Sequence, residues 1–340
     1  MSRGFMNNPV IVNPRYSATT SNLSQEPDFF KLLVTRKEVV ADGIYLFELR
    51  DPDGEELPTF TPGSHLKVEA PNGSRRNYSL CSDPTETGYY QIAVKRDEGG
   101  RGGSVSMADD VVQGQLLSVS APRNNFELSE RAKSFLFVAG GIGITPILSM
   151  MRHLKNTGGG AFKLYYLTRD AQSTAFLKEL AEEFPGQVKV HHDNGDRNQA
   201  MDLWPVFEKP ATSYIYCCGP KGLMDSVQDM SGHWPSGNVH FESFGVDAKA
   251  HAENKPFKVH LAKSGDTLDV GEHETILDVL RAHGRRVSSS CESGTCGSCR
   301  TRLLEGEAEH RDMVLAPEVQ STQIMICVSC AKSPELTLDL

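Results

Sequence analysis

The chain has 340 residues, of which 39% are hydrophobic and 23% are charged, so it is long enough for two or three domains with separate cores. Its net charge of -9 and pI near 5.7 argue against a general affinity for nucleic acid or an anionic membrane, because either surface would repel it. It contains no run of about 18 apolar residues, so no membrane-spanning helix is predicted.

The first 27 residues are polar and lack the apolar stretch of a secretory signal. We therefore expect a flexible N-terminal extension at 1–27 and a cytoplasmic protein with no nucleic-acid or membrane partner. We also expect a monomer.

Short alternating segments broken by glycine and proline follow, at 31–40, 43–49, 65–68, 76–80, 90–95 and 116–121. Alternation of this kind predicts strands, and their close spacing predicts a small antiparallel β-barrel at 28–130.

The pattern then changes to strands that alternate with helices, which predicts a parallel sheet covered on both faces at 131–245. Strands are predicted at 135–139, 164–167 and 214–217, and helices at 146–154, after a cap at Ser173, and around 223–230. The polar segment 246–256 is predicted to be a linker. Strands, a helix at 275–283 and a cysteine-rich loop then predict an α+β domain at 257–340, so the predicted fold is multi-domain.

Three cysteines crowd into nine residues of this last domain: Cys291, Cys296 and Cys299. Their C-x4-C-x2-C spacing, with one distant cysteine, is typical of a plant-type [2Fe-2S] site, whereas structural zinc sites usually join two C-x2-C pairs. Gly294 and Gly297 would let the loop wrap closely around sulfur. Cys327 and Cys330 are both possible fourth ligands; we prefer Cys327 because it follows an apolar strand.

A glycine-rich turn in VAGGIGITP joins a predicted strand to a helix and contains Gly140, Gly141, Gly143 and Pro146. The helix N-terminus offers N–H groups to a pyrophosphate, and proline suits a first helical turn. A glycine turn alone is weak evidence, but a second motif, Cys218, Gly219 and Pro220, ends another strand of the same predicted sheet. Cys218 is either an inert thiol of the core or a residue that contacts the nicotinamide ring, and we favour the contact with nicotinamide.

Two charged residues follow the second predicted strand of this sheet. Asp170 favours the free ribose hydroxyls of NAD, whereas Arg169 would favour the extra phosphate of NADP. Because both charges are present, the pair favours NADH but does not exclude NADPH.

The predicted barrel carries two further groups of candidate cofactor-binding residues: Arg76, Asn77, Tyr78 and Ser79, then Arg101, Gly102, Gly103 and Ser104. An arginine fork and a glycine–serine turn suit a phosphate, tyrosine offers a ring face, and serine offers a hydroxyl to a ring nitrogen. R-x-Y-S is also an ordinary strand pattern, so its weight depends on the other motifs.

In this order, the motifs resemble those of the ferredoxin-reductase superfamily and, within it, the phthalate dioxygenase reductase family, over 30–340. NGSRRNYSLC, VAGGIGITPILSM, YCCGP and SSCESGTCGSC are each similar to that family. The resemblance implies FMN, NADH and a [2Fe-2S] cluster, with Cys291, Cys296, Cys299 and Cys327 as cluster ligands. It also implies a flavin site that includes Ala93, Val94, Lys95, Thr145 and Phe244. The short connection at 81–89 leaves little room for the adenine of FAD.

The resemblance further implies that NADH passes hydride to the flavin, whose electrons reach the cluster singly and then a Rieske-type aromatic-ring oxygenase component. Phthalate dioxygenase is the first expected acceptor. Ser79, Cys218 and Phe244 are the expected catalytic residues, and Glu242 and Ser243 are candidates to tune the nicotinamide site. Two alternatives remain: a reductase for another aromatic-acid oxygenase or demethylase, and a non-enzymatic iron–sulfur sensor.

Overall fold

The computed structural model describes residues 29–100, 102–244, 255–272, 274–289, 292, 294–295 and 297–340. The predicted extension at 1–27, most of the predicted linker, and three candidate site residues lie outside the described residues: Arg101, Cys291 and Cys296. The described chain folds into an antiparallel barrel, a parallel α/β sheet and an α+β unit, as the sequence predicts. The domain boundaries themselves stay a prediction.

Seven strands form the first sheet: β1 (Phe29–Ala41), β2 (Ile44–Arg50), β3 (Ser64–Glu69), β4 (Arg75–Ser79), β5 (Tyr90–Lys95), β6 (Leu116–Ser120) and β7 (Arg123–Asn124). Six follow the antiparallel order β4-β3-β6-β1-β2-β5, and β7 pairs with β3. An antiparallel bridge between Leu80 and Ile92 joins the two ends of this order. The sheet therefore closes into a barrel around buried side chains such as Phe47 and Leu66.

Helix α1 (Gly103–Asp110) lies where the sequence predicted only a glycine–serine turn. The ammonium group of Lys37 on β1 donates hydrogen bonds to the carbonyl oxygens of Ala108 and Val111, both at 2.7 Å. A cation at a helix C-terminus also interacts favourably with the helix dipole. A contact from a strand far away in sequence thus stabilises this short helix.

Five parallel strands form the second sheet: β8 (Ser134–Gly140), β9 (Ala161–Thr168), β10 (Val188–His192), β11 (Tyr214–Cys218) and β12 (Val239–Glu242). Their order is β10-β9-β8-β11-β12. The accompanying helices are α2 (Ile144–Thr157), α3 (Leu177–Glu183), α4 (Trp204–Phe207) and α5 (Lys221–Met230). The sequence missed β10 and β12 because these edge strands are only partly buried and carry polar residues.

The predicted helix cap at Ser173 is wrong. Asp170 Oδ1 accepts a hydrogen bond from the Ser173 backbone N–H at 2.8 Å, and the Ser173 hydroxyl donates to the Asp170 carbonyl at 3.1 Å. This turn holds Ser173 outside the helix, and α3 begins only at Leu177, after Phe176 with φ 62°.

The C-terminal unit contains one helix and seven strands among its described residues: α6 (Ile276–Ala282), β13 (Phe257–Leu261), β14 (Thr267–Val270), β15 (Arg300–Glu305), β16 (Ala308–Glu309), β17 (Gln323–Met325), β18 (Cys330–Ala331) and β19 (Glu335–Leu338). Five strands form a mixed sheet in the order β14-β13-β19-β15-β17, and β16 pairs with β18. Thr275 and Asp278 form a reciprocal capping box at the start of α6, which fixes where the helix begins.

Two of the three units share a hydrophobic cluster, whereas the third unit has a core of its own. Barrel residues such as Ile44 and Ala93 belong to one buried cluster with Phe137 and Met150 of the nucleotide domain. The C-terminal unit has its own core, made of residues from 257–340. None of the helices in the described ranges has the length and apolarity needed to cross a membrane.

Candidate functional site

The two candidate nucleotide motifs meet where the order of the parallel sheet reverses. The chain passes from β8 to β9 on one side and later to β11 on the other side of β8. Ligands of open α/β sheets bind outside the carboxyl ends of the strands at such a switch point. The turn after β8 and the Cys218–Gly219–Pro220 motif after β11 border this crevice together.

Close backbone packing explains three of the glycines in these motifs. A Cβ on Gly143 would lie 2.1 Å from the Cys218 carbonyl oxygen, and one on Gly140 would lie 2.6 Å from Cδ of Pro220. A Cβ on Gly219 would lie 3.0 Å from the backbone of Gly140. Gly141 differs, since it has φ +53° and nothing within 4 Å of a Cβ. Three glycines therefore let the loops touch, and Gly141 leaves an approach to the backbone open.

The start of α2 suits an anion. Its first turn contains Thr145 and Pro146 and no acidic residue, so N–H groups and the positive end of the helix dipole face the crevice without a competing carboxylate. The Thr145 hydroxyl donates to the Ile142 carbonyl oxygen at 3.0 Å and is buried. Pro146 lies in the first helical turn, as the sequence predicts.

Cys218 is completely buried, and Glu242 lies beside it on the adjacent strand β12. Burial and the nearby Glu242 carboxylate raise the pKa of the Cys218 thiol well above its ordinary value. The thiol is therefore protonated at neutral pH and packs in the interior instead of acting as a nucleophile. Its placement under a nicotinamide stays a prediction.

One cleft joins the barrel to the end of the nucleotide sheet. Its lining comprises His65, Asn77, Ser79, Asn125, Glu242, Ser243 and Phe244. Ser79 is buried, whereas Phe244 is 43% exposed. The structure thus brings together two predicted catalytic residues from units far apart in sequence.

His65 and Asn125 line this cleft but were not predicted from the sequence. His65 on β3 pairs directly with Ser79 on β4, and β7, which precedes Asn125, pairs with β3. The cross-strand register was the signal that would have revealed His65, because it places His65 beside Ser79, which the sequence had already singled out.

Arg76 lies against the N-terminus of α1. A Cβ on Gly103, the first residue of α1, would lie 3.1 Å from Cγ and 3.2 Å from Nε of Arg76. Gly102 precedes the helix with φ 77°, and no acidic residue occupies its first turn. The Ser104 hydroxyl accepts a hydrogen bond from the Asp97 backbone N–H at 3.1 Å, so it braces the turn. A guanidinium beside a helix N-terminus is a chemically suitable place for a phosphate.

Tyr78 lies beside this arrangement on β4. Burial raises the pKa of its phenol to about 12, although the nearby Arg76 acts in the opposite direction. Its buried hydroxyl oxygen has no hydrogen-bond partner among the described residues. A buried phenol whose hydroxyl has no partner fits a site in which a polar ring system of a bound ligand accepts that hydrogen bond.

The predicted flavin strand 93–95 lies at the end of β5, which contacts the glycine turn after β8. Ala93 and Val94 are buried, whereas Lys95 is exposed. The strand therefore lines the junction of the barrel with the nucleotide sheet.

Asp170 lies two residues after the end of β9, and its carboxylate accepts a hydrogen bond from the Ser173 backbone N–H. Hydrogen bonds from Ser173 hold the pKa of this carboxyl below its usual range. An ionised carboxylate here favours ribose hydroxyls and repels a second phosphate. Arg169 packs near Gly195, which lies in the loop after β10.

The described part of the cysteine-rich loop has the geometry of a sulfur site. The Sγ atoms of Cys299 and Cys327 lie 3.1 Å apart, and both side chains are buried. Gly294 and Gly297 have φ of 75° and 79°, conformations in which glycine carries no penalty. Cys330 lies instead in β18, paired with Glu309 of β16. The two thiols brought together are the ones a shared metal group would need.

Positive and polar side chains surround the carboxylate of the cysteine-rich loop. Arg281 binds the Glu292 carboxylate at 2.7 Å, and Ser289 donates to the same oxygen at 3.2 Å. Burial raises the pKa of Glu292, but Arg281, Lys67 of β3 and Ser289 outweigh it, so the pKa is lowered overall. Lys67 is two residues from His65 of the cleft, so a positive charge of the same barrel strand acts on this loop.

Three family models match successive parts of the chain: an oxidoreductase FAD-binding domain at 31–128, an oxidoreductase NAD-binding domain at 137–229, and a 2Fe-2S iron-sulfur cluster binding domain at 259–332. Each match coincides with one of the three folded units.

Two relatives match almost the whole chain. The phthalate 4,5-dioxygenase oxygenase reductase subunit of Pseudomonas putida is 58% identical over 323 residues, which cover 94% of this chain and 100% of that protein. The phthalate dioxygenase reductase of Burkholderia cepacia is 56% identical over 318 residues, covering 93% and 99%. A solved structure of a phthalate dioxygenase reductase matches with a TM-score of 0.74 and 56% identity over 92% of this chain and 98% of that one.

Proposed function

The chain belongs to the phthalate dioxygenase reductase family, and from this premise we propose that it is the NADH-oxidising reductase component of a Rieske-type aromatic-ring dioxygenase, first of all phthalate dioxygenase. It is an oxidoreductase with flavin, nicotinamide and [2Fe-2S] modules in one chain. The observation that carries the proposal is the cleft that brings Ser79 of the barrel together with Glu242 and Phe244 at the end of the nucleotide sheet.

The residues suit FMN as the flavin. In our proposal, Arg76 and the N-terminus of α1 bind its phosphate, and the ring lies near Asn77, Tyr78, Ser79 and the β5 end. The segment 81–89 is held by its own contacts: the Thr85 backbone N–H donates to Asp83 at 2.9 Å, and the Leu57 N–H donates to the Thr87 carbonyl at 2.8 Å. Such a short, tied connection leaves no loop to hold an adenine.

The crevice between β8 and β11 suits NADH. We assign the pyrophosphate to the N-terminus of α2 beside Gly141, and the nicotinamide to the cleft lined by Ser79 and Glu242, the strand neighbour of Cys218. Asp170 favours NADH over NADPH through its ionised carboxylate. Phe244 lies at the exposed rim of this cleft, so its ring would cover the reactive face and exclude water until nicotinamide replaces it.

The bound flavin supplies the conversion of a two-electron hydride donor into single electrons, and the cluster carries them onward. The chain holds the donor and the acceptor in place for that exchange. Ser79 offers a hydroxyl at the ring edge, and the protonated Cys218 keeps an apolar wall without competing as a nucleophile.

We assign Cys291, Cys296, Cys299 and Cys327 as the cluster ligands. The 3.1 Å separation of the Cys299 and Cys327 sulfurs supports Cys327 over Cys330. The left-handed conformations at Gly294 and Gly297 support a loop whose N–H groups turn toward sulfur.

We propose that the protein is cytoplasmic, because NADH and reduced thiols belong to a reducing compartment. We also propose that it is a monomer. Gel filtration with light scattering tests the monomer directly, and a mass of 37.4 kDa is expected from the chain alone.

An anaerobic NADH titration of the purified holoprotein, followed by visible absorbance and low-temperature EPR, tests the electron path. Bleaching of the flavin bands together with a rhombic reduced-cluster signal is expected. A reduced flavin beside an unchanged cluster would break the path at the second transfer. NADH-dependent product formation with purified phthalate dioxygenase then tests the partner, against other aromatic-acid oxygenases and demethylases as controls.

A further inference from the structure

The segment that carries the cluster loop has a charge opposite to that of the whole chain. The protein carries a net charge of -9, yet the segment 281–302 contains five arginines and a single acid, Glu292. The arginines are Arg281, Arg285, Arg286, Arg300 and Arg302. Four thiolate ligands lie within or close to this segment in our assignment, so its positive charge is concentrated where electrons leave the protein.

Only part of this charge is neutralised nearby. Arg281 pairs with Glu292, and Arg285 pairs with Asp266. The other three are exposed, and in the ranges that the structure describes no carboxylate lies within 4.0 Å of their guanidinium groups. The guanidinium group of Arg300 donates a hydrogen bond to the neutral side chain of Gln323. We call Arg286, Arg300 and Arg302 the arginine surface.

The fold keeps these three side chains near the cluster ligands. Arg300 directly follows Cys299, and Arg302 lies on the same face of β15 because side chains alternate along a strand. Arg286 precedes Cys291 by five residues, so their Cα atoms are at most about 18 Å apart. The segment's single acid, Glu292, is drawn toward Arg281 and Lys67 of the barrel.

We propose that the arginine surface is a docking site for a carboxylate-rich face of the electron acceptor; this rests on the proposed function. An acidic acceptor would be repelled by a chain of charge -9 at long range. Within about 10 Å, the Debye length at 0.1 M salt, the unpaired arginines dominate and turn the acceptor toward the cluster. Planar guanidinium groups also bind carboxylates in a bidentate geometry, which adds orientation to attraction.

The test uses the holoprotein with FMN and cluster, and two haem proteins of opposite charge as probes, acidic cytochrome b5 and basic cytochrome c. The variant R286E/R302E reverses two charges of the surface. The control K133E/K189E makes the same charge change on exposed lysines of the nucleotide domain. Second-order reduction rates are measured at low and high ionic strength.

At low salt we expect R286E/R302E to slow cytochrome b5 reduction by about tenfold or more and to speed cytochrome c reduction, with both effects fading at about 1 M salt. The control variant should change each rate by less than about twofold. Equal slowing of both cytochromes, an equal effect of the control, or a cluster midpoint potential shifted enough to explain the rates would overturn the proposal. Anaerobic reduction of the wild-type cluster by NADH separates the cases: normal cluster reduction with no charge discrimination refutes only the docking surface, whereas failed cluster reduction refutes the proposed function.

Discussion

Gly143→Ala is the substitution whose effect follows most directly from the structure. The added Cβ would lie 2.1 Å from the Cys218 carbonyl oxygen and 2.5 Å from its carbonyl carbon, which are backbone atoms of a central strand. An ordinary contact begins at 3.4 Å, which is 1.3 Å longer than 2.1 Å, so the turn after β8 must move away from the end of β11. Overpacking of this kind costs about 1–3 kcal/mol.

Two measurements check this expectation. The cost corresponds to a loss of roughly 2–12 °C in the melting temperature of the flavin-loaded protein, because about 1 kcal/mol shifts a domain of this size by about 2–4 °C. A displacement of about 1 Å at a ligand site can reduce the rate about 100-fold, so we also expect kcat/KM for NADH to fall by at least tenfold.

Gly222→Ala is the matched control, since Gly222 lies in α5 with nothing within 4 Å of its Cβ and no positive φ. It should leave the melting temperature unchanged or slightly raised, because alanine favours helix. A Gly143→Ala protein with the melting temperature and the kcat/KM for NADH of the wild type would refute the close packing of the two loops.

Three further predictions concern the cofactors and pH. Cys327→Ser should lose bound iron and the reduced-cluster EPR signal while Cys330→Ser keeps both; the reverse result would reassign the fourth ligand. Arg76→Ala should weaken FMN binding by about 10- to 100-fold, the loss of a charged hydrogen bond, measured by fluorescence of released flavin; Arg75→Ala, whose side chain pairs with Glu69, should not. Burial lowers the pKa of His240, so the unfolded chain takes up its proton first and the unfolding free energy should fall as pH drops below about 6.5. Urea denaturation of His240→Gln should show a smaller fall, and an unchanged slope would contradict the assignment.

Much of the fold could be predicted because the buried face of a strand or helix requires apolar residues at regular intervals in the sequence. Strand β2 alternates between the barrel interior and its outer face, and α2 repeats apolar residues every three or four positions, so both were found close to their observed bounds. The two glycine motifs were also predictable, because each stands at a junction of strand and helix.

The features that were missed depend on contacts between distant residues. Helix α1 needs Lys37 to bind its last carbonyl groups, and its own sequence has no strong apolar periodicity. The cleft position of His65 follows from its pairing with Ser79, which only the barrel register reveals. The glycines after β8 were read as room for a pyrophosphate, whereas Gly140 and Gly143 chiefly make room for the neighbouring loop.

The separation of the hydrophobic cores bears on how this protein can change over evolutionary time. Part of the barrel and part of the nucleotide sheet share one buried cluster, so a mutation in that cluster affects the packing of both units. The C-terminal unit keeps its own core, and Met313 is a side chain by which it packs against the nucleotide domain. Selection can therefore alter the outlet for electrons, including its surface charge and its choice of acceptor, while the inlet that accepts NADH is inherited intact.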